Sequence, residues 1–245
     1  MDASVIHPSI REYIKDAGDL ANRYAFIFTS QRYLDRYVRS RQFLTFDVQS
    51  ATQDFRTSLE NLLTRAVRDR IADAYYEVDE ASGGRLQNDT NIDDYLDEFI
   101  PSFYSSPFEK HTTHGRLTLA GGIFRKALRS LLIGSIAVAA VGELQEVARS
   151  RIPSQFRTGK DGAGYSPTTW AQMLLAGESE RAYLNSFFDL AERAGGKRIR
   201  YVVLEGACPV CVGLEGIYLV GNVPAFPHPY CRCILEVVLW NEGTI

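Results

Sequence analysis

The chain has 245 residues, 45% hydrophobic and 23% charged, the balance of an ordinary soluble globular protein. Its net charge of −3 supplies no global attraction for nucleic acid. The uncharged, strongly apolar run Ser130–Gly142 has 13 residues, too few for a membrane helix of ~20. The N-terminal stretch carries Asp2, Arg11, Glu12 and Lys15 in place of a basic-then-apolar signal, so the expectation is a soluble protein made in the cytoplasm, without membrane contact. Charge is unevenly spread: residues 1–100 hold 12 basic and 18 acidic side chains, and residues 101–200 hold 14 and 8. Such polarity could orient the protein between differently charged partners, and it is equally ordinary on a surface with no role.

Residues 8–28 predict an amphipathic helix, with Pro8 in the first turn and Ile10, Tyr13, Ile14, Ala17, Leu20, Ala21 and Tyr24 at helical spacing. The next segment, Gln31–Arg41, mixes Arg32, Arg36, Arg39 and Arg41 with Tyr33 and Tyr37. Basic and aromatic residues together can contact nucleic acid, but their alternation with Leu34 and Val38 fits a solvated, partly packed helix better. A long helix is expected over Asp47–Tyr76, capped by Asp47, with an apolar stripe of Val48, Ala51, Phe55, Leu59, Leu62, Leu63, Ala66, Ile71 and Ala74. The polar, glycine-containing stretch Asp79–Thr90 reads as a loop or hinge. A short acidic helix with Ile92, Tyr95, Leu96 and Phe99 follows, ended by Pro101.

Residues 102–115 read as a connector. His111 and His114 lie three apart there, but only Glu109 stands beside them, too little for a second metal site. A further helix is expected over Leu117–Arg149, apolar on all sides along Leu131–Val141. Its small residues, among them Gly134, Ser135 and Ala137, suit close helix packing or a subunit interface. Ser150–Tyr165 is basic and glycine-rich but lacks the spacing of a phosphate-binding loop, and reads as an exposed linker. Ser166-Pro167 then opens a helix ended by Gly177, and a second helix runs from Glu178 to Ala194 with Gly195-Gly196 as its stop. Strands are expected at Arg198–Glu205, Ile217–Val220 and Cys233–Trp240.

All four cysteines lie in Cys208–Cys233, as Cys208-Pro-Val-Cys211 and His228-Pro-Tyr-Cys231-Arg-Cys233. A Cys-x-x-Cys turn offers two thiolates and a second Cys/His cluster can close a tetrahedral Zn²⁺ site, softer and better matched to sulfur than Mg²⁺ or Ca²⁺. Five candidates compete for four positions: Cys208, Cys211 and His228 with one of Cys231 or Cys233, or the four cysteines. Two disulfides or a Cys208–Cys211 redox pair are the alternatives. A redox motif is expected to open a helix after a strand, whereas Gly213 and Gly216 follow here. Within the metal reading a structural site is favoured, because a catalytic zinc keeps an open position and this cluster has ligands to spare.

The C-terminal third, with Trp170, Glu178, Asn185, Gly195, Cys208, Cys211, Leu214, Gly216, Pro227, His228, Pro229, Cys231, Arg232 and Cys233, resembles the C-terminal domain of phage head morphogenesis proteins. These are minor head proteins similar to phage Mu protein F. The resemblance covers roughly residues 165–240, and its specific part is the Cys/His ending. It implies a tailed-phage minor capsid component acting in head assembly, DNA packaging or DNA delivery. The implied partners are the portal or the major capsid protein, with contact to packaged DNA and self-association also open, and the implied location is the virion. Arg232, set between two thiolates, would offset their charge or face a partner. The implied protein is not an enzyme.

The expected fold class is α+β: a mostly helical region over 1–150, a basic linker at 151–165, and at 166–245 a helical hairpin with a small zinc-stapled antiparallel β module. Other functions use the same residues differently. A zinc deaminase needs His-x-Glu and Pro-Cys-x-x-Cys, and His7, His111, His114 and His228 are followed two residues later by Ser, Thr, Arg and Tyr. A zinc-supported nuclease with His228 as base, or a DNA-binding module built on the basic middle third, stand as alternatives.

Overall fold

The computed structural model describes residues 7–29, 43–86, 90–105, 167–224 and 233–238. The helices are α1 (Pro8–Thr29), α2 (Phe43–Ser82), α3 (Ile92–Ser105), α4 (Pro167–Arg193) and the single turn α5 (Pro209–Val212). The strands are β1 (Arg198–Val203), β2 (Gly216–Leu219) and β3 (Cys233–Val238). Mixed α+β architecture is therefore as expected. The expected Gln31–Arg41 helix, the His111/His114 connector, the Leu117–Arg149 helix and the Ser150–Tyr165 linker lie outside the described residues.

Two compact units are built from these elements. The first contains, among the described residues, 7–11, 64–86, 90–105, 176–224 and 233–238; the second contains 12–29, 43–63 and 167–175. Each draws on both sides of the 151–165 stretch. In the second unit Ile14, Ala17, Leu20 and Ala21 of α1 are buried, as are Phe55, Leu59, Leu62 and Leu63 of α2. Gly18 lets α4 come close: a Cβ there would sit 2.6 Å from the Gln172 amide nitrogen. Thr168 Oγ1 donates to Asn22 Oδ1 (2.8 Å) one helical turn along.

In the first unit the core joins Ala66, Val67, Ile71, Ala74 and Val78 of α2 to Tyr95 and Leu96 of α3 and to Ala182, Phe187, Leu190 and Ala191 of α4. Asn91 Oδ1 accepts the Asp93 N–H (2.8 Å), which caps α3, and Asp93 and Asp94 complement the positive end of the helix.

Three expectations are corrected. Helix α2 does not span Asp47–Tyr76 but Phe43–Ser82: Asp47 lies inside it and is not its N-cap, and the helix passes Tyr76 because Val78 and Ser82 are buried and extend the inward stripe past the acidic residues. Pro101 does not end α3, which continues to Ser105. The exposed ring gives up one backbone hydrogen bond without breaking the last turn.

Most consequential, the expected helical hairpin is one helix: α4 runs unbroken from Pro167 to Arg193 through Gly177. A glycine ends a helix by adopting a left-handed conformation, and among the described residues the glycines with positive φ are Gly83, Gly84, Gly195 and Gly206, not Gly177. The stop comes at Gly195, whose N–H donates to Glu192 O (2.9 Å) while Gly196 N–H donates to Ala191 O (2.8 Å). The same paired closure ends α2, with Gly83 N–H to Glu80 O (3.1 Å) and Gly84 N–H to Asp79 O (2.8 Å).

The sheet is antiparallel in the order β2-β1-β3. Ile199 and Tyr201 of β1 and Cys233 and Leu235 of β3 point inward and are buried, while Arg200, Ile217, Leu219, Ile234 and Glu236 occupy the outer face. Arg200 and Glu236 are register partners and pair at 3.3 Å across it. Gly196 leads into β1 and tolerates no side chain, since a Cβ would lie 2.8 Å from Val237 Cγ1 and 2.9 Å from Ala191 O. Among the described residues no helix is long and apolar enough to cross a membrane.

Candidate functional site

Cys208, Cys211 and Cys233 are described; His228 and Cys231 lie outside the described residues. All three lie at the same end of the sheet. Cys233 opens β3 opposite Val203, the last residue of β1. From Val203 the chain turns at Gly206 (φ 79°), with Ala207 N–H donating to Leu204 O (3.1 Å), and reaches Cys208. It returns to the sheet at Gly216, the partner of Tyr201.

The pair itself is shaped by its two intervening residues. Cys208 is extended (φ −73°, ψ 160°) and caps α5, and Pro209 takes the first helical position, where no N–H is required. Cys211 N–H donates to Cys208 Sγ (3.4 Å), and Val212 N–H to Cys208 O (3.1 Å). Gly213 closes the helix after one turn. A Cys-x-x-Cys at a strand-to-helix junction is therefore present, but the long helix that follows a redox motif is not.

The two sulfurs lie 3.4 Å apart. A disulfide needs ~2.05 Å, whereas two thiolates on a tetrahedral Zn²⁺ with bonds of ~2.3 Å sit about 3.8 Å apart. Spacing and donor softness fit a zinc-type knuckle, and the Cys211 amide proton is aimed at Cys208 Sγ. Cys211 and Cys233 are buried (0% and 7% exposed), and Cys208 is partly open. Among the described residues no disulfide joins these cysteines, and no group of three or more His, Cys, Asp or Glu side chains is arranged to hold a metal.

A second constellation, in the first unit, went unrecognised in the sequence. Arg70, 3% exposed, donates to Asp73 Oδ2 (2.9 Å) and Glu180 Oε2 (3.0 Å) and lies 4.0 Å from the centre of the Tyr183 ring. Tyr183 Oη donates to Glu77. Ser9 Oγ donates to Asp73 Oδ2 (2.5 Å) and lies 2.8 Å from His7 Nδ1, which is 3.3 Å from the same Asp73 oxygen. The Ser9 backbone N–H also donates to His7 Nδ1 (3.4 Å), so both the main chain and the side chain of Ser9 meet that nitrogen.

The electrostatics follow burial. Burial and then the Arg70 charge hold the His7 pKa below its ordinary value, against the pull of Asp73. Burial raises Glu77, whose carboxyl end turns toward Tyr183, and burial followed by the Glu77 charge raises the Tyr183 phenol. Burial works against the charged form of Arg70, but Glu180, Tyr183 and Asp73 outweigh it and keep the guanidinium protonated. Arg70 Nε, buried, has no hydrogen-bond partner among the described residues, while the other contacts of the constellation join α1, α2 and α4. A signal was available: Arg70 falls at helical spacing among Val67, Ile71 and Ala74, a charge on an inward stripe.

No protein-family model, no curated protein and no solved structure matches the chain.

Proposed function

We propose that this chain is a minor head protein of a tailed phage, acting without catalysis in head assembly, DNA packaging or DNA delivery through contacts with portal or capsid. Its β module is clasped by one structural Zn²⁺. The observation that supports the clasp is that the Cys208–Cys211 turn and Cys233 lie at the same end of a three-stranded sheet. Cys231 is two residues from Cys233 and His228 five, within ~7 Å and ~18 Å of extended chain, so both can reach that end. Cys208 and Cys211 would supply two ligands, and Cys233, Cys231 and His228 the remaining two. Bound there, the ion supplies folding free energy, ~10–16 kcal/mol in small zinc modules, to strands of six, four and six residues.

The virion role is supported by the Cys-Pro-Val-Cys…His-Pro-Tyr-Cys-Arg-Cys ending and its similarity to head morphogenesis proteins. Elemental analysis of purified protein is expected to give one zinc per chain, with Cys208→Ser losing both the metal and thermal stability. Absence of metal together with an unchanged melting temperature in C208S overturns the clasp. Crosslinking in purified heads is expected to join this chain to portal or capsid. Full, infectious heads assembled without it overturn the role.

A further inference from the structure

We infer that Cys208 and Cys211, when no metal occupies them, form a thiol–disulfide exchange pair whose substrates are small aliphatic disulfides, with Cys208 the entering sulfur and Cys211 the resolving one. The thiols are those proposed above as zinc ligands, so the inference deepens that reading by naming what metal occupancy protects against.

Three observations point to these roles. The sulfurs are already 3.4 Å apart, so a bond of ~2.05 Å requires an approach of little more than 1 Å. Their exposures differ: Cys211 is fully buried, while Cys208 is partly open on a turn whose neighbours Val210 and Val212 are 61% and 56% exposed. An external disulfide therefore meets Cys208 first. Finally, Cys211 N–H donates to Cys208 Sγ, which holds the entering sulfur in place and keeps the resolving residue adjacent to it. Cys233 is buried on a paired strand and offers no comparable entry.

The exchange balances without a further reagent. The Cys208 thiolate attacks one sulfur of R–S–S–R, forming Cys208–S–S–R and expelling RS⁻, which takes the proton that Cys208 gave up. The Cys211 sulfur then attacks Cys208 Sγ, forming the intramolecular disulfide and expelling the second RS⁻, which takes the Cys211 proton. The protein dithiol loses two electrons and the small disulfide becomes two thiols. In the zinc-loaded protein both sulfur lone pairs are engaged and the attack is suppressed.

The test uses the full chain, zinc-loaded or stripped by a chelator, treated with oxidised glutathione and read by peptide mass spectrometry, with zinc content measured in parallel. Stripped wild-type protein is expected to yield a 208–211 disulfide, Cys211→Ser a stable glutathione adduct at Cys208, and Cys208→Ser neither. Wild-type protein alone provides a second readout that needs no variant: brief alkylation should label Cys208 roughly tenfold ahead of Cys211, as exposure of the thiol dictates. Equal labelling, an adduct at Cys211 in C208S, or oxidation that instead pairs Cys231 with Cys233 overturns the inference. If zinc binds but the stripped pair does not exchange, the inference fails and the clasp stands. If the pair exchanges but no zinc binds, the clasp fails and the inference stands.

Discussion

Arg70 shows what single side chains contribute. With Asp73, Glu180 and Tyr183 around it, its guanidinium satisfies two carboxylates that are themselves largely removed from water. Arg70→Leu leaves both carboxylates without their cation and is expected to cost about 3–5 kcal/mol in chemical denaturation; a loss under ~1 kcal/mol would mean that water already solvates them. His7 and Glu77 add opposed pH dependences at this scale. The His7 pKa lies below its ordinary 6.5 because of burial and Arg70. The unfolded chain thus takes the proton first, and the stability due to His7 is complete above that value and lost as pH falls through the lowered folded pKa. Glu77, raised from 4.5 by burial, contributes stability that is complete below 4.5 and lost as pH rises through its folded value. Urea midpoints measured between these two limits should lose less stability on acidification in His7→Gln than in wild type. Identical pH slopes in the two proteins would remove His7 from the account.

Helices and strands were legible to different degrees, for reasons that lie in particular residues. The stripe of α1 was readable from Ile10 to Ala21 because its apolar spacing is regular. Strand limits were readable to within two residues because β-branched and aromatic residues cluster there. Gly177 misled because composition alone does not tell a glycine inside a helix from one that ends it; only backbone conformation does, and that is decided by neighbours such as buried Ala176, Glu178 and Ser179. Gly177→Ala should therefore stabilise α4 by roughly 0.5–1 kcal/mol, and destabilisation would indicate a break there. The two helix-ending glycine pairs should behave differently from each other. Gly83 (φ 72°) has open space around it, so Gly83→Ala pays only the left-handed strain of roughly 1–2 kcal/mol. Gly196→Ala drives a methyl into Val237 and the Ala191 carbonyl, so it should shift the melting temperature further.

Across the whole molecule the candidate site was legible as chemistry but not as placement. Cys208 and Cys211 declared themselves by spacing, while the placing of Cys233 at the same end of the sheet depends on β3 pairing with β1 rather than with β2, a choice no local pattern records. The Arg70 constellation shares that limit, since it joins residues as far apart in sequence as Arg70 and Glu180. If zinc clasps the sheet as proposed, dependence on metal should be regional. Chelation is expected to raise amide exchange in 198–203 and 233–238 well above the change at 66–78, where apolar burial holds the helix; equal gains in both regions would mean that the metal supports the entire first unit. The strand order β2-β1-β3 also sets which contacts stand or fall together. β1 is the central strand, hydrogen-bonded on both edges, and Cys233 enters the sheet only through the β1–β3 pairing. Loss of β3 would therefore open one edge of β1 and remove Cys233 from the Cys208–Cys211 end of the sheet in the same step.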